Sequence, residues 1–202
     1  MPEDRPVAWS VAADSPAAMS APAGTPATRD DLTDAAQSHD GGGRLARRRL
    51  ARALLARLAN VPVAEVRLSR TALGALIVVS PPGWYVGQSG RGGDWLIGAA
   101  RRPIAVDREP LDDAPPLRDM LSPSEIEALD RLAPADRPLD WLRRWTIKEA
   151  HAKLIGDPLR IRPETIETRL DTPVEATATF EGVSRCWTRT TATAIETVAM
   201  WT

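Results

Sequence analysis

The stretch Trp145-Thr146-Ile147-Lys148-Glu149-Ala150-His151-Ala152-Lys153 constrains this chain more than any other. It predicts the heart of a helix over about 139–155, with Gly156 as its stop. No helical period returns after that glycine. Alternating stretches at 165–170, 176–180, 185–190 and 194–201 predict an antiparallel sheet instead, with Trp187 as a core anchor. The same nine residues hold both lysines of a chain whose other 24 basic residues are arginine. Lysine differs from arginine as a compact ammonium whose protonation can be tuned and which meets phosphate as a point charge. Glu149 and Lys153 share a helix face, with Trp145 one turn earlier. Taken alone, the pattern describes a solvated Glu–Lys pair over a tryptophan as well as it describes a site.

A second helix is written at 44–59. Leu50, Leu54 and Leu58 recur every fourth residue, and Asn60 and Pro62 end the run. Six arginines lie between Arg44 and Arg57. They read either as the solvated side of an ordinary helix or as an anion site. A nucleic-acid role is the weaker version of the second reading, because no aromatic residue is interleaved to stack on bases.

Charge is strongly segregated. Residues 1–40 carry net −5, residues 41–102 net +9 and residues 103–202 net −5, within an overall −1. Such asymmetry suggests an anionic ligand on one side and a cation or basic partner on the other. Residues 1–40, rich in Ala, Pro, Ser, Thr and Asp, predict a mostly disordered tail, hinged at Gly41-Gly42-Gly43. His39 has no evident role there. No signal peptide or membrane span is written, so the expectation is a cytoplasmic protein. The single cysteine, Cys186, excludes an internal disulfide and reads as a small buried hydrophobe.

Between the helices the pattern predicts strands at 65–68 and 75–80, a turn at Pro81-Pro82-Gly83, and a short strand at 84–86. That strand runs into Gly87-Gln88-Ser89-Gly90 and Arg91-Gly92-Gly93. Glycine-rich turns can offer N–H groups to phosphate, although the spacing is not that of a Walker loop. Residues 95–100 and 103–109 are expected to pair around Arg101-Arg102. Asp107 and Glu109, two apart on a strand, project to one side. They describe either a solvated strand end or a hard-oxygen site suited to Mg²⁺. After a proline- and acid-rich connection over 110–121, Ser122-Pro123-Ser124-Glu125 is a capping box opening a helix to about Leu132. His151 lies off the Glu149–Lys153 face and is read as surface or core.

Together these pieces resemble the paired signature of the surfactin-type (Sfp-type) 4′-phosphopantetheinyl transferases. That family has a Gly-hydrophobic-Asp-x-Glu strand end, and about forty residues later an aromatic-Ser/Thr/Cys-x-Lys-Glu-Ala/Ser-x-x-Lys helix. Trp145, Thr146, Lys148, Glu149, Ala150 and Lys153 match the second motif, and Asp107 and Glu109 the first, with Ala105 in place of its glycine. The segment from Tyr85 to Ala100 resembles the family's Asn-x-Ser-His-Ser block, with Gln88 where the histidine stands and Gly87 for the preceding serine. Gly74-Ala75-Leu76 replaces a Gly-Lys-Pro segment. The arginine helix resembles the helix ahead of that block, so the likeness spans about 44–200.

The resemblance implies an α+β fold of two pseudo-symmetric halves, each a small antiparallel sheet packed with helices, with the site between them. The halves would be 41–105, the basic coenzyme A side, and 106–202. It implies Mg²⁺-dependent (or Mn²⁺-dependent) transfer of 4′-phosphopantetheine from coenzyme A to a serine of an apo acyl, polyketide or peptidyl carrier protein, releasing 3′,5′-ADP. Glu149 and Lys153 would be catalytic; Asp107, Glu109 and Glu149 would bind the metal. Arg48, Arg49, Gln88, Ser89, Lys148 and Lys153 would hold coenzyme A. The expected protein is a monomer that binds neither nucleic acid nor membrane. Two alternatives stand beside it: a degenerate relative that binds coenzyme A or a carrier protein without chemistry, and an arginine-helix nucleic-acid binder.

Overall fold

Leucines at every fourth position fix the first long helix. In the computed structural model, which describes residues 6–12, 24–91, 94–111 and 115–202, β1 (Val7–Ala12) and α1 (Arg29–Ala36) precede α2 (Gly41–Ala59). The Asp40 carboxylate caps α2 by accepting from Gly43 N–H, so the three glycines form its first turn and not a hinge. Asn60, at φ 54°, ends it in the left-handed conformation. Leu50, Leu54 and Leu55 are buried against Val66, Leu68, Val86, Trp95 and Ile97.

A 3-10 turn (Val63–Glu65) leads from α2 to β2 (Arg67–Arg70) and β3 (Leu76–Ser80), which pair with each other. β4 (Tyr85–Arg91) and β1 flank β5 (Asp94–Ala100), giving the order β1-β5-β4, all antiparallel. The glycine-rich turn expected at 87–90 is therefore strand. Gly90, at φ 143°, pairs with Trp95, and a Cβ there would lie 2.1 Å from Asp94 O. Close approach of two chains explains this glycine without a phosphate. Gly92 and Gly93, and residues 112–114 of the acid-rich connection, lie outside the described residues.

The expected tail also needs correction. β1 supplies an edge strand to β5, and α1 packs against α2 with a complete capping box between Thr28 and Asp31. Composition underrated this segment because it is held by buried charge more than by apolar area. Asp31, fully buried, accepts from Arg48 Nε at 2.8 Å and Arg52 Nη1 at 2.9 Å. Asp34 meets Arg70, Arg48 and Arg44 at 2.6, 3.3 and 3.4 Å. Burial alone would raise both carboxyls. For Asp31, hydrogen bonds from Thr28 and Arg48 with the nearby Arg52 charge more than offset it; for Asp34, Arg70, Arg48 and Arg44 do. Both pKa values fall below the usual aspartate range. Residues 1–5 and 13–23 of the expected tail lie outside the described residues.

The chain divides into two compact units, Met1–Ile104 and Ala105–Thr202, and the element order of the first recurs in the second. β6 (Ile104–Pro110) opens it, followed by α3 (Pro123–Asp130), capped by the Ser122–Glu125 box, and α4 (Arg137–Ile155). A 3-10 turn (Pro163–Thr165) then leads into β7 (Glu167–Leu170), β8 (Glu175–Thr179), β9 (Val183–Thr190) and β10 (Ala194–Trp201). Their sheet runs β6-β10-β9-β8-β7. β6 pairs with β10, which corrects the pairing with β5 that the sequence suggested. A strand has two edges, and those of β5 are taken by β1 and β4.

Both units are α+β, small antiparallel sheets packed with helices. α4 lays Ile147 and Ala150 on Ile166, Ala176, Ala178, Cys186 and Ala199. Trp187 is not the anchor of this core. Ser184, Cys186 and Thr188 take the buried face of β9, while Trp187 lies on the other, under the Arg185 guanidinium. No helix among the described residues is long and apolar enough to cross a membrane.

Candidate active site

α4 starts with proline in its first turn and stops at Gly156, whose φ of 101° suits the left-handed cap. Its 19 residues carry three kinds of face. Trp141 and Leu142 pack with Leu121, Leu129 and Ile195, while Trp141 and Trp145 stack with ring centroids 6.2 Å apart. Thr146 reaches the sheet through its hydroxyl, 2.8 Å from that of Thr197. Glu149 and Lys153 occupy a half-buried strip one turn apart.

That strip meets β6. Lys153 Nζ donates to Asp107 Oδ1 at 2.6 Å, linking positions 46 residues apart. Asp107 is 2 % exposed and Lys153 29 %, so the pair is buried on its carboxylate side and open on its ammonium side. Alternation along β6 puts Glu109 on the same side as Asp107 and sends Arg108 the other way, where it faces Glu196 at 3.4 Å. Asp107, Lys153 and the Glu149 turn are thus brought into one neighbourhood. Carboxylate oxygens from a strand and a helix suit a hard divalent cation in kind. Among the described residues, however, no three His, Cys, Asp or Glu are gathered as a metal site, and Lys153 is the cation seated on Asp107.

Lys148 points elsewhere. It is 1 % exposed, pairs with Glu125 at 2.7 Å, and donates to the carbonyls of Pro163 (2.9 Å) and Ile166. Burial pulls its pKa below the usual lysine value, with the Glu125 carboxylate opposing. Arg48 is occupied in the same way: its guanidinium donates to Asp31, Asp34 and Leu68 O, at 1 % exposure. Both side chains, expected to hold coenzyme A, are held by internal partners in this structure. Arg49 is partly exposed and donates from Nε to Thr25 O at 2.5 Å. Gln88 and Ser89 sit on β4 opposite Ile97 and Leu96, and Gln88 Oε1 is buried without a hydrogen-bond partner among the described residues.

Sequence reasoning missed Glu125 as more than a cap. Its carboxylate accepts from Ser122 N–H at 2.8 Å and Thr168 N–H at 2.9 Å besides holding Lys148, and Arg144 approaches to 3.9 Å. The capping box was the available signal, but its cations lie 19 and 23 residues away, beyond any local pattern. His151 is core, as one of its two readings had it: fully buried, with Nδ1 2.7 Å from Ser184 Oγ and Nε2 2.8 Å from Phe180 O.

Residues 103–198 match the family model of the 4′-phosphopantetheinyl transferase superfamily. All but the first two of these residues belong to the second unit, which holds α4 and the sheet edged by β6. A comparison with curated proteins gave no match.

Proposed function

We propose that this chain transfers the 4′-phosphopantetheine group of coenzyme A to a serine of an apo carrier protein, releasing 3′,5′-ADP. The observation that carries the reading is the junction of β6 and α4. Lys153 reaches Asp107 at 2.6 Å beside Glu149, inside the segment that matches the superfamily model. In the reaction the serine Oγ forms a bond to the β-phosphorus while the P–O bond to the departing 3′,5′-ADP breaks. Glu149 orients the hydroxyl and accepts its proton directly or through water. Lys153, open on its ammonium side, neutralises the phosphate or the leaving group. Asp107, Glu109 and Glu149 would hold Mg²⁺ or Mn²⁺, which when bound supplies charge neutralisation to the pyrophosphate. Arg49, Gln88 and Ser89 remain proposed contacts for coenzyme A. Soluble, cytoplasmic action as a monomer completes the reading.

The test is the intact mass of an apo carrier protein incubated with this protein, coenzyme A and Mg²⁺. The expected result is a gain of one phosphopantetheine, abolished by EDTA and by Glu149→Gln in a folded protein. No gain with acyl, polyketide and peptidyl carriers alike would sink the proposal. A second reading, binding without transfer, draws on the internal commitment of Arg48 and on the uncharged Gln88. Coenzyme A binding with no 3′,5′-ADP release would favour it.

A further inference from the structure

The two units are wired alike by buried ions. In the first, the third residue of a capped helix, Asp31, receives Arg48 and Arg52 from the long helix that follows. In the second, the third residue of a capped helix, Glu125, receives Arg144 and Lys148. The same 96-residue step separates Arg48 from Arg144 and Arg52 from Lys148. The remaining donors follow suit. Arg52 reaches Val63 O and Val66 O, and Lys148 reaches Pro163 O and Ile166 O, at the start of each 3-10 turn and just after it. Arg48 donates to Leu68 O on β2, and Arg144 to Thr168 O on β7. Each carbonyl lies 100 residues from its counterpart.

From this equivalence we infer that Lys148 is a positioning residue, the second copy of the Arg52 strut, and makes no contact with substrate. The step that carries Lys148 to Arg52 carries Glu149 to Ala53 and Lys153 to Arg57. The frame is common to both units; the acid beside it is present only in the second. A cation fixed at once to α3, the 3-10 turn and the approach to β7 sets the rotation of α4 about its axis. That rotation decides whether Glu149, the next residue, and Lys153, one turn on, face β6. Because a guanidinium fills the equivalent place in the first unit, arginine is the conservative replacement at 148, although it would not be for a residue acting as a point charge on phosphate.

This inference deepens the transferase reading and rests on it for its kinetic part. The experiment compares full-length wild type, Lys148→Arg and Lys148→Met by thermal unfolding, coenzyme A affinity, and kcat against KM. Lys148→Arg is expected to keep the wild-type midpoint, affinity and turnover. Lys148→Met should melt earlier. Below its midpoint it should lose kcat by about 100-fold, the scale of a small misplacement of reacting groups, with KM for coenzyme A within about twofold. A Lys148→Arg protein that melts like wild type yet binds coenzyme A much more weakly would overturn the inference. So would a Lys148→Met protein that raises KM at unchanged kcat. If the wild type transfers nothing, the transferase reading fails and the melting points alone judge the strut. A lowered midpoint in Lys148→Met restored by arginine then supports it, and equal midpoints in Lys148→Met and wild type overturn it.

Discussion

His151 stands between two motif residues and does none of their chemistry. Its Nε2–H donates to Phe180 O, which leaves Nδ1 to accept the Ser184 hydroxyl, and the ring meets Trp201 edge-on at 5.3 Å. Burial lowers its pKa below the ordinary 6.5, with the Phe180 carbonyl opposing. A depressed histidine favours the fold while neutral, so its contribution is whole above pH 6.5 and is lost as pH falls through the folded pKa. Thermal midpoints measured from pH 7.5 to 5 should therefore drop on the acid side. His151→Gln should start lower and show a shallower slope; an unchanged slope would mean that other groups set the acid limit. Cys186 makes the complementary case. It is fully buried, and desolvation pushes its thiol up to about 12 despite the Ser184 hydroxyl. It should resist alkylation at neutral pH in the native protein and react fully after denaturation, as intact mass would show. At this scale the sequence was informative where spacing is local. Asp107 with Glu109 and Glu149 with Lys153 could be read from periods of two and four. Lys148 could not, because its partners Glu125, Pro163 and Ile166 lie on three other segments.

The long helices were legible as elements, α2 and α4 both emerging from leucine or tryptophan spacing and a left-handed stop at Asn60 or Gly156. The four strands β7 to β10 were legible from alternation. β4 was legible only at its start, predicted at 84–86, because Gly90 serves close strand pairing and imitates a turn. α1 was not legible, because its acids looked like part of a disordered tail. Yet Asp31 and Asp34 are the counterions of the arginine helix, and this makes α1 a structural element. Removing one partner of a buried ion pair leaves an uncompensated charge. Asp31→Ala should therefore destabilise the first unit by about 3–5 kcal/mol, well beyond an exposed-pair substitution. Denaturant titration would check it, with Arg131→Ala, whose pair with Glu127 is exposed, as the reference near zero. Equal effects from the two would refute the buried network as a source of stability.

At the scale of the whole molecule, the charge map changes meaning. The net +9 over residues 41–102 pointed to an anionic ligand, and the composition of residues 1–40 to a mostly disordered tail. The structure makes part of each answer the other: Asp31, Asp34 and Asp40 meet Arg44, Arg47, Arg48, Arg52 and Arg70. Thr25 and Pro26 add carbonyl acceptors for Arg49 and Arg52. Part of the segregation is then internal pairing, and non-specific polyanion binding should be weaker in the intact chain than in one lacking these acids. Deleting residues 1–40 removes these counterions together with the β1 edge of β5. The truncated chain should lose amide protection in α2 and β5, and bind heparin or single-stranded DNA with an affinity that falls steeply with added salt. Amide exchange and a salt titration read the two effects separately. If exchange stays slow after truncation, the α1 ion pairs are dispensable. If the intact chain already binds DNA with the same salt slope, the arginines are not answered internally and the nucleic-acid alternative returns.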